Sequence, residues 1–382
     1  MNRKTLRLLG TLMLALSLLL LLSSAAFAKD TAQLDYEDIA LRVPKENKNL
    51  DIMQRSLPML QKARDKMDGG SYTDAGMDEL FQIYGQIANA ADTTTAAGLA
   101  QHAWANMVMG SLTASQQMSA GFASMTGIDL QIEQMRIQIQ QTQAQLINTG
   151  QMLFGSWHQL QYLIEALHIG RELLEESLQL AKVQQTAGIG TALAVKEAEL
   201  ALFDYDTGIK QLESQCAQLL SQLKLIVGWP QIQIIKLGSI PRPNRQFLDK
   251  IDLVADTKSA CDNSYSIKLK QAEQKYTDGD DQKNIIKLTI EAQKEQIALS
   301  LSTQYYKIVE ANNTLLLEEQ RLVVLEEKIK QARLQHQLGL LADIALQTEE
   351  NFYTGKHMDI THALDALFWE IESYKAIVAG LN

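Results

Sequence analysis

Between Gln282 and Gly339 the chain has neither glycine nor proline, and its apolar residues fall in rows. Leu301, Ile308, Leu315, Leu322 and Ile329 recur every seven residues, beside a second row at Val309, Leu316 and Val323. A third row runs through Ile290, Ile297, Ala311, Leu325 and Ala332. One such row would form the seam of a two-stranded coil. Several adjacent rows predict a helix with neighbours on more than one side, as in a bundle or helical barrel. About 56 helical residues rising 1.5 Å each would span roughly 85 Å. A rod of that length cannot bury its faces alone, so self-assembly is expected.

The first half follows the same plan. Ile128, Ile132, Met135, Ile139 and Leu146 mark one helical face, and the run continues, with bends expected near Gly150 and Gly155, to a turn at Gln184–Thr191. A return helix from Leu193 to Val227 ends at Gly228-Trp229-Pro230, which is helix-stop chemistry. Laying the chain on itself at an offset of 151 aligns Gly188 with Gly339, Gln184 with Gln335, Glu199 with Glu350 and Ile226 with Ile377. Twelve identities in fifty-four ungapped positions predict a duplicated helical hairpin. The expected fold class is all-α: long antiparallel hairpins in two tandem repeats, with few or no strands. Its divisions are a leader over 1–28, a first hairpin repeat over 29–230, a connector over 231–249 and a second repeat over 250–382.

Shorter elements fill the gaps. A helix opens at Leu34–Ala40 and is ended or kinked by Pro44, and another runs from Leu50 to Met67. Ser71 to Gly127, rich in Ala, Met, Thr and Gly, lacks the alternation of half-buried strands and reads as helix interrupted by glycines. Ile232–Ile235 could form a short strand; Lys250–Cys261 and Ser264–Lys275 read as helices before a polar turn at Thr277–Asp281.

Arg3, Lys4 and Arg7, then Leu8–Leu22, then Ala26-Phe27-Ala28 make an export leader with a cleavage site before Lys29. The alternative is an uncleaved anchor, although fifteen apolar residues fall short of a span. Without the leader, 32 basic side chains face 45 acidic ones, a net charge of −13, which argues against nucleic acid or an anionic membrane surface as partner. Cys216 and Cys261 do not make a disulfide framework; two separate buried thiols are expected, with a single bridge between them as the alternative. His357 and His362 are five apart and point to different helix faces, and Asp278–Asp281 lacks the ligand spacing of a calcium loop, so no metal site is expected. No nucleophile-base set or phosphate loop stands in the sequence; neither an enzyme nor a cofactor is expected. Glu165, Glu172, Glu175 and Glu176, with Glu318, Glu319, Glu326 and Glu327, are either a wet helix face or the lining of an acidic conduit.

With both hairpins placed, the chain resembles the TolC family of outer-membrane efflux proteins. Tyr305-Tyr306 matches the aromatic pair that precedes the family's turn glycine, and Phe154 and Trp157 match it more loosely in the first repeat. Asp38-Ile39-Ala40 with Asn47 or Asn49, and Leu253-Val254-Ala255 with Asn263, resemble the opening of each family repeat. Leu57-Pro58-Met59-Leu60 is similar to the segment that leads into the family's first strands. The resemblance implies a homotrimer whose hairpins form a hollow helical cylinder, docking a periplasmic adaptor coupled to an inner-membrane pump, in the outer membrane or elsewhere in the envelope. By position, the docking turns are Gly188, Ile189, Gly190 and Thr191, with Gly339, Leu340 and Leu341.

Two departures stand out. The second repeat has about ten residues, Tyr276 to Asn284, where the family inserts two membrane strands of about nine to eleven residues each. The membrane barrel is therefore expected to be reduced or absent, which puts outer-membrane insertion in question. The family's acidic entrance positions fall at Ala345 and Thr348, leaving Glu197, Asp343 and Glu349 as nearby substitutes. A second reading follows: an exported structural coiled-coil or adaptor-like protein that has lost the barrel.

Overall fold

The computed structural model describes residues 32–67, 82, 85 and 125–381. The leader and most of the 71–127 segment lie outside the described residues. In chain order the elements are β1 (Ala32–Leu34), α1 (Tyr36–Glu46), α2 (Lys48–Met67), α3 (Met125–Thr186), α4 (Ala192–Ile226) and β2 (Ile235–Leu237). A 3₁₀ turn (Arg245–Lys250) then leads to α5 (Leu253–Asn263), α6 (Tyr265–Tyr276), α7 (Asp280–Gln337) and α8 (Asp343–Val378). The described part is thus all-α apart from two three-residue strands, which pair in parallel with Ala32 opposite Ile235 and Leu34 opposite Leu237. No helix among the described residues is long and apolar enough to cross a membrane.

Two long hairpins, α3–α4 and α7–α8, dominate the molecule. At 58 residues and 1.5 Å per residue, α7 is roughly 87 Å long. The rows read from its sequence divide by environment. Leu301, Ile308 and Leu315 are buried against Ala363, Leu367, Ile371 and Tyr374 of α8. Ile290 and Ile297 pack with Ile267 of α6 and Ala260 of α5. In the second row Val309 is half-buried, while Leu316 and Val323 are exposed, the latter at 62%.

Several local expectations change on contact with the structure. Pro44 lies inside α1 rather than ending it, and Pro58 lies inside α2 as the Leu50–Met67 reading has it. Each removes one backbone hydrogen bond. The helices persist because Ile39, Val43, Leu50, Met53 and Leu60 are all anchored in the core with Met135, Ile139 and Leu223. Gly150 and Gly155 do not divide α3, which runs unbroken for 62 residues. They are places of close approach: a Cβ on Gly155 would sit 2.2 Å from the Trp369 ring. The polar turn in the second repeat is only Thr277–Gly279, because Asp280 and Asp281 open α7. Two carboxylates in a first helical turn are stabilised by the exposed N–H groups there. With three residues between α6 and α7, this repeat contains no strand pair.

Both hairpins end in the same kind of junction. The buried Asn47 side chain donates to the carbonyl of Ile226 at 2.9 Å, and Asn263 donates to Val378 at 2.9 Å. Two residues beyond each acceptor is a glycine with positive φ, Gly228 at 75° and Gly380 at 98°. A Cβ on either would meet a backbone carbonyl, that of Glu46 at 2.0 Å or Asn263 at 2.4 Å. Of the two asparagines weighed in the first repeat, Asn47 therefore makes the contact.

Candidate functional site

The paired turns at the hairpin ends form the candidate site. Each joins its helices through five residues, Ala187–Thr191 and Leu338–Ala342. Gly188 and Gly339 sit at φ 75° and 70°, where a side chain would be strained. Their positions close the helices by a shared pattern. Ile189 N–H donates to Gln184 O at 3.0 Å, and Leu340 N–H donates to Gln335 O at 2.8 Å. These bonds satisfy the last helical carbonyls, which would otherwise lack partners. The return helices start differently. Thr191 caps α4 by accepting from Ala194 N–H at 3.1 Å. Ala342 has no such side chain, and a His336 Nε2 to Asp343 Oδ1 contact of 2.6 Å spans the second turn instead.

One helical turn back, each hairpin carries a cross-bridge: Lys182 to Glu199 at 3.4 Å, and Arg333 to Glu350 at 3.0 Å. The two hairpins meet each other nearby, where Gln347 Nε2 donates to Glu176 Oε1 at 2.7 Å. The turns themselves present apolar tips, with Ile189 80% and Leu340 75% exposed. The two tips thus place exposed apolar side chains at the ends of two long hairpins.

Among the expected entrance acids, Glu197 and Glu349 are exposed, while Asp343 is engaged by His336. Within one chain the structure does not gather them. Many of the other glutamates are also occupied. Glu175 pairs with Arg171, Glu319 with Arg245, and Glu327 with Lys330. Glu318 is held between Lys356 and Arg321, whose hydrogen bonds and charge keep its carboxyl below the usual range. His357 faces Tyr353 and His362 faces Tyr162. Among the described residues no three metal-ligating side chains converge. Cys216 and Cys261 are both free.

The aromatic pairs take unlike places. Phe154 is fully buried with Tyr36 and Phe368, whereas Tyr305 packs into the second hairpin and Tyr306 is 66% exposed. The cross-bridge basic residues escaped the reading by identity, since lysine at 182 and arginine at 333 do not match letter for letter. A comparison by charge would have found them.

No family model matches the sequence, and no curated protein matches it. Among solved structures, the chain is similar to CusC, a protein described through transmembrane channel formation, at 12% identity and a TM-score of 0.48, covering 91% of this chain and 96% of that one. It is similar to the outer-membrane channel OprN at 14% identity and a TM-score of 0.44, covering 67% and 71%. For the outer membrane protein VceC from Vibrio cholerae the values are 11%, 0.43, 68% and 75%. These likenesses are distant, and the functional reading rests on the hairpins.

Proposed function

We propose that this chain is the repeating subunit of an envelope export conduit of the TolC kind, a channel-forming homotrimer without catalysis. The observation that carries the reading is the pairing of two like hairpins that keep rows of exposed apolar residues. Residues 29–230 and 250–382 act as two copies of one unit joined by the 231–249 connector. The duplicated turn pattern, the cross-bridges and the asparagine junctions support that division.

On α7, Leu316 and Val323 lie seven apart and exposed, as do Leu317 and Val324, and Leu299 and Tyr306. On the first hairpin, Leu173 and Leu180, and Leu193 and Leu200, repeat that spacing. Exposed rows of this period are what a neighbouring helix covers in a coiled-coil contact. Three copies give six hairpins, enough to close a tube. The tips around Gly188, Ile189, Gly190, Thr191, Gly339, Leu340 and Leu341 then meet a periplasmic adaptor and its inner-membrane pump, with Glu197, Asp343 and Glu349 near the mouth. The second repeat supplies no membrane strands, so anchorage in the outer membrane falls to other parts of the assembly.

Native mass spectrometry of the exported protein tests the assembly. We expect trimers for the wild type and monomers of unchanged helicity for the Leu316→Lys/Val323→Lys variant. A wild type that stays monomeric at all concentrations overturns the reading. Dimers alone would favour the structural coiled-coil alternative.

A further inference from the structure

The two hairpins of one chain touch along a seam between α3 and α8, and that seam holds a carboxylate in an unusual setting. Asp365 of α8 lies beside a cleft of about 280 Å³ that also borders Gly155 and Tyr162 of α3 and His362 and Trp369 of α8. The Tyr162 hydroxyl reaches the Asp365 carboxylate from across the seam. Its Oδ2 is buried with no hydrogen-bond partner. No lysine or arginine pairs with Asp365 among the described residues. The basic side chain near it is His362, three residues earlier on its own helix. From α3 the facing titratable group is Tyr162, which itself feels the negative charge of Glu165; the connector contributes the apolar Ile240 to the cleft.

We propose that Asp365 is a proton-operated tie between the hairpins: protonated, it seats α8 on α3, and ionised, it loosens the seam and opens the cleft to water. The reasoning is one of solvation. A carboxylate with a buried, unpartnered oxygen gains from being neutral, and on ionising it gains from admitting water. Burial pushes the Asp365 carboxyl above the usual aspartate range, more than Tyr162 and His362 pull it down. The seated form therefore binds the proton more tightly than the loosened form. Its advantage is fully present in acid, below the ordinary aspartate value, and is lost as pH rises through the raised value. The seam lies within one chain, so the tie does not depend on the trimer.

The experiment is hydrogen exchange by mass spectrometry on the full exported chain, following α8 peptides spanning 358–372, from about pH 3 to about pH 8 and corrected for intrinsic exchange. Wild type should lose protection several-fold as pH rises across the series. Asp365→Asn, neutral at every pH, should be protected and flat. Tyr162→Phe removes a donor that favours the ionised form, so its transition should move to higher pH. Equal slopes for wild type and Asp365→Asn overturn the proposal, as does a Tyr162→Phe transition that stays in place or moves to lower pH. Far-ultraviolet circular dichroism of both variants confirms that each is folded before the comparison is made.

Discussion

Glu199 and Glu350 stand 151 residues apart and do the same thing: each accepts a basic side chain from the outgoing helix of its own hairpin, Lys182 at 3.4 Å and Arg333 at 3.0 Å. The cross-bridges brace two turns that already share their backbone bonding. They are solvent-exposed, so their thermodynamic weight is small. Glu350→Ala should cost no more than about 1 kcal/mol in chemical denaturation. A double-mutant cycle on Arg333 and Glu350 that gave more than about 2 kcal/mol would show that the pair is not screened by water.

The glycines of turn and junction should separate cleanly. A Cβ on Gly339 meets nothing within 4 Å, so Gly339→Ala carries only the left-handed backbone cost of roughly 1–2 kcal/mol. On Gly228 the Cβ would sit 2.0 Å from the Glu46 carbonyl, and Gly228→Ala should cost roughly 2–4 kcal/mol from strain and overpacking together. Denaturation midpoints of the two variants measure the difference. Equal losses would mean that the junction is not the close contact described.

The two asparagine junctions differ in burial, and stability should follow. Asn47 is buried and uses both ends of its amide, donating to Ile226 O and accepting from Leu50 N–H at 3.0 Å. Asn47→Ala strands both groups and should cost about 1–3 kcal/mol. Asn263 is exposed, and water can replace its bond to Val378. Asn263→Ala should therefore cost about 1 kcal/mol or less in the same denaturation experiment.

His158 gives the core an acid limit. Burial holds its imidazole below the usual histidine range, partly offset by a bond to the Gly238 backbone, and Nε2 is buried without a partner. The folded state thus binds fewer protons than the unfolded one. Stability from this site is full above the ordinary value of about 6.5 and is lost as pH falls through the depressed one. The melting temperature of wild type should drop over that acid range, and His158→Gln should flatten that part of the profile. An unchanged profile would contradict the assignment. Asp365 acts with the opposite sign.

Much of the fold is legible in the sequence because long helices repeat their signal many times. The rows through Leu301, Ile308 and Leu315 and the offset linking Gly188 to Gly339 locate the hairpins and their turns. Short and packing-dependent features are not legible. β1 is three residues long, too few for alternation to show, and its partner is about two hundred residues away. Pro44 reads as a stop or kink because the sequence does not show the core that holds its helix together. The close contacts at Gly150 and Gly155 are not legible, because a glycine under a neighbouring side chain looks the same in sequence as a hinge. The seam between Tyr162 and Asp365 joins residues on different helices, with no local pattern to announce it.

The most direct test of the central claim is an electron cryomicroscopy reconstruction of the particle purified from the cell envelope. The conduit reading predicts three-fold symmetry, an open bore, and the exposed rows through Leu316 and Val323 covered by a neighbouring copy. A filled helical core, or a particle in which those rows remain bare, would contradict it.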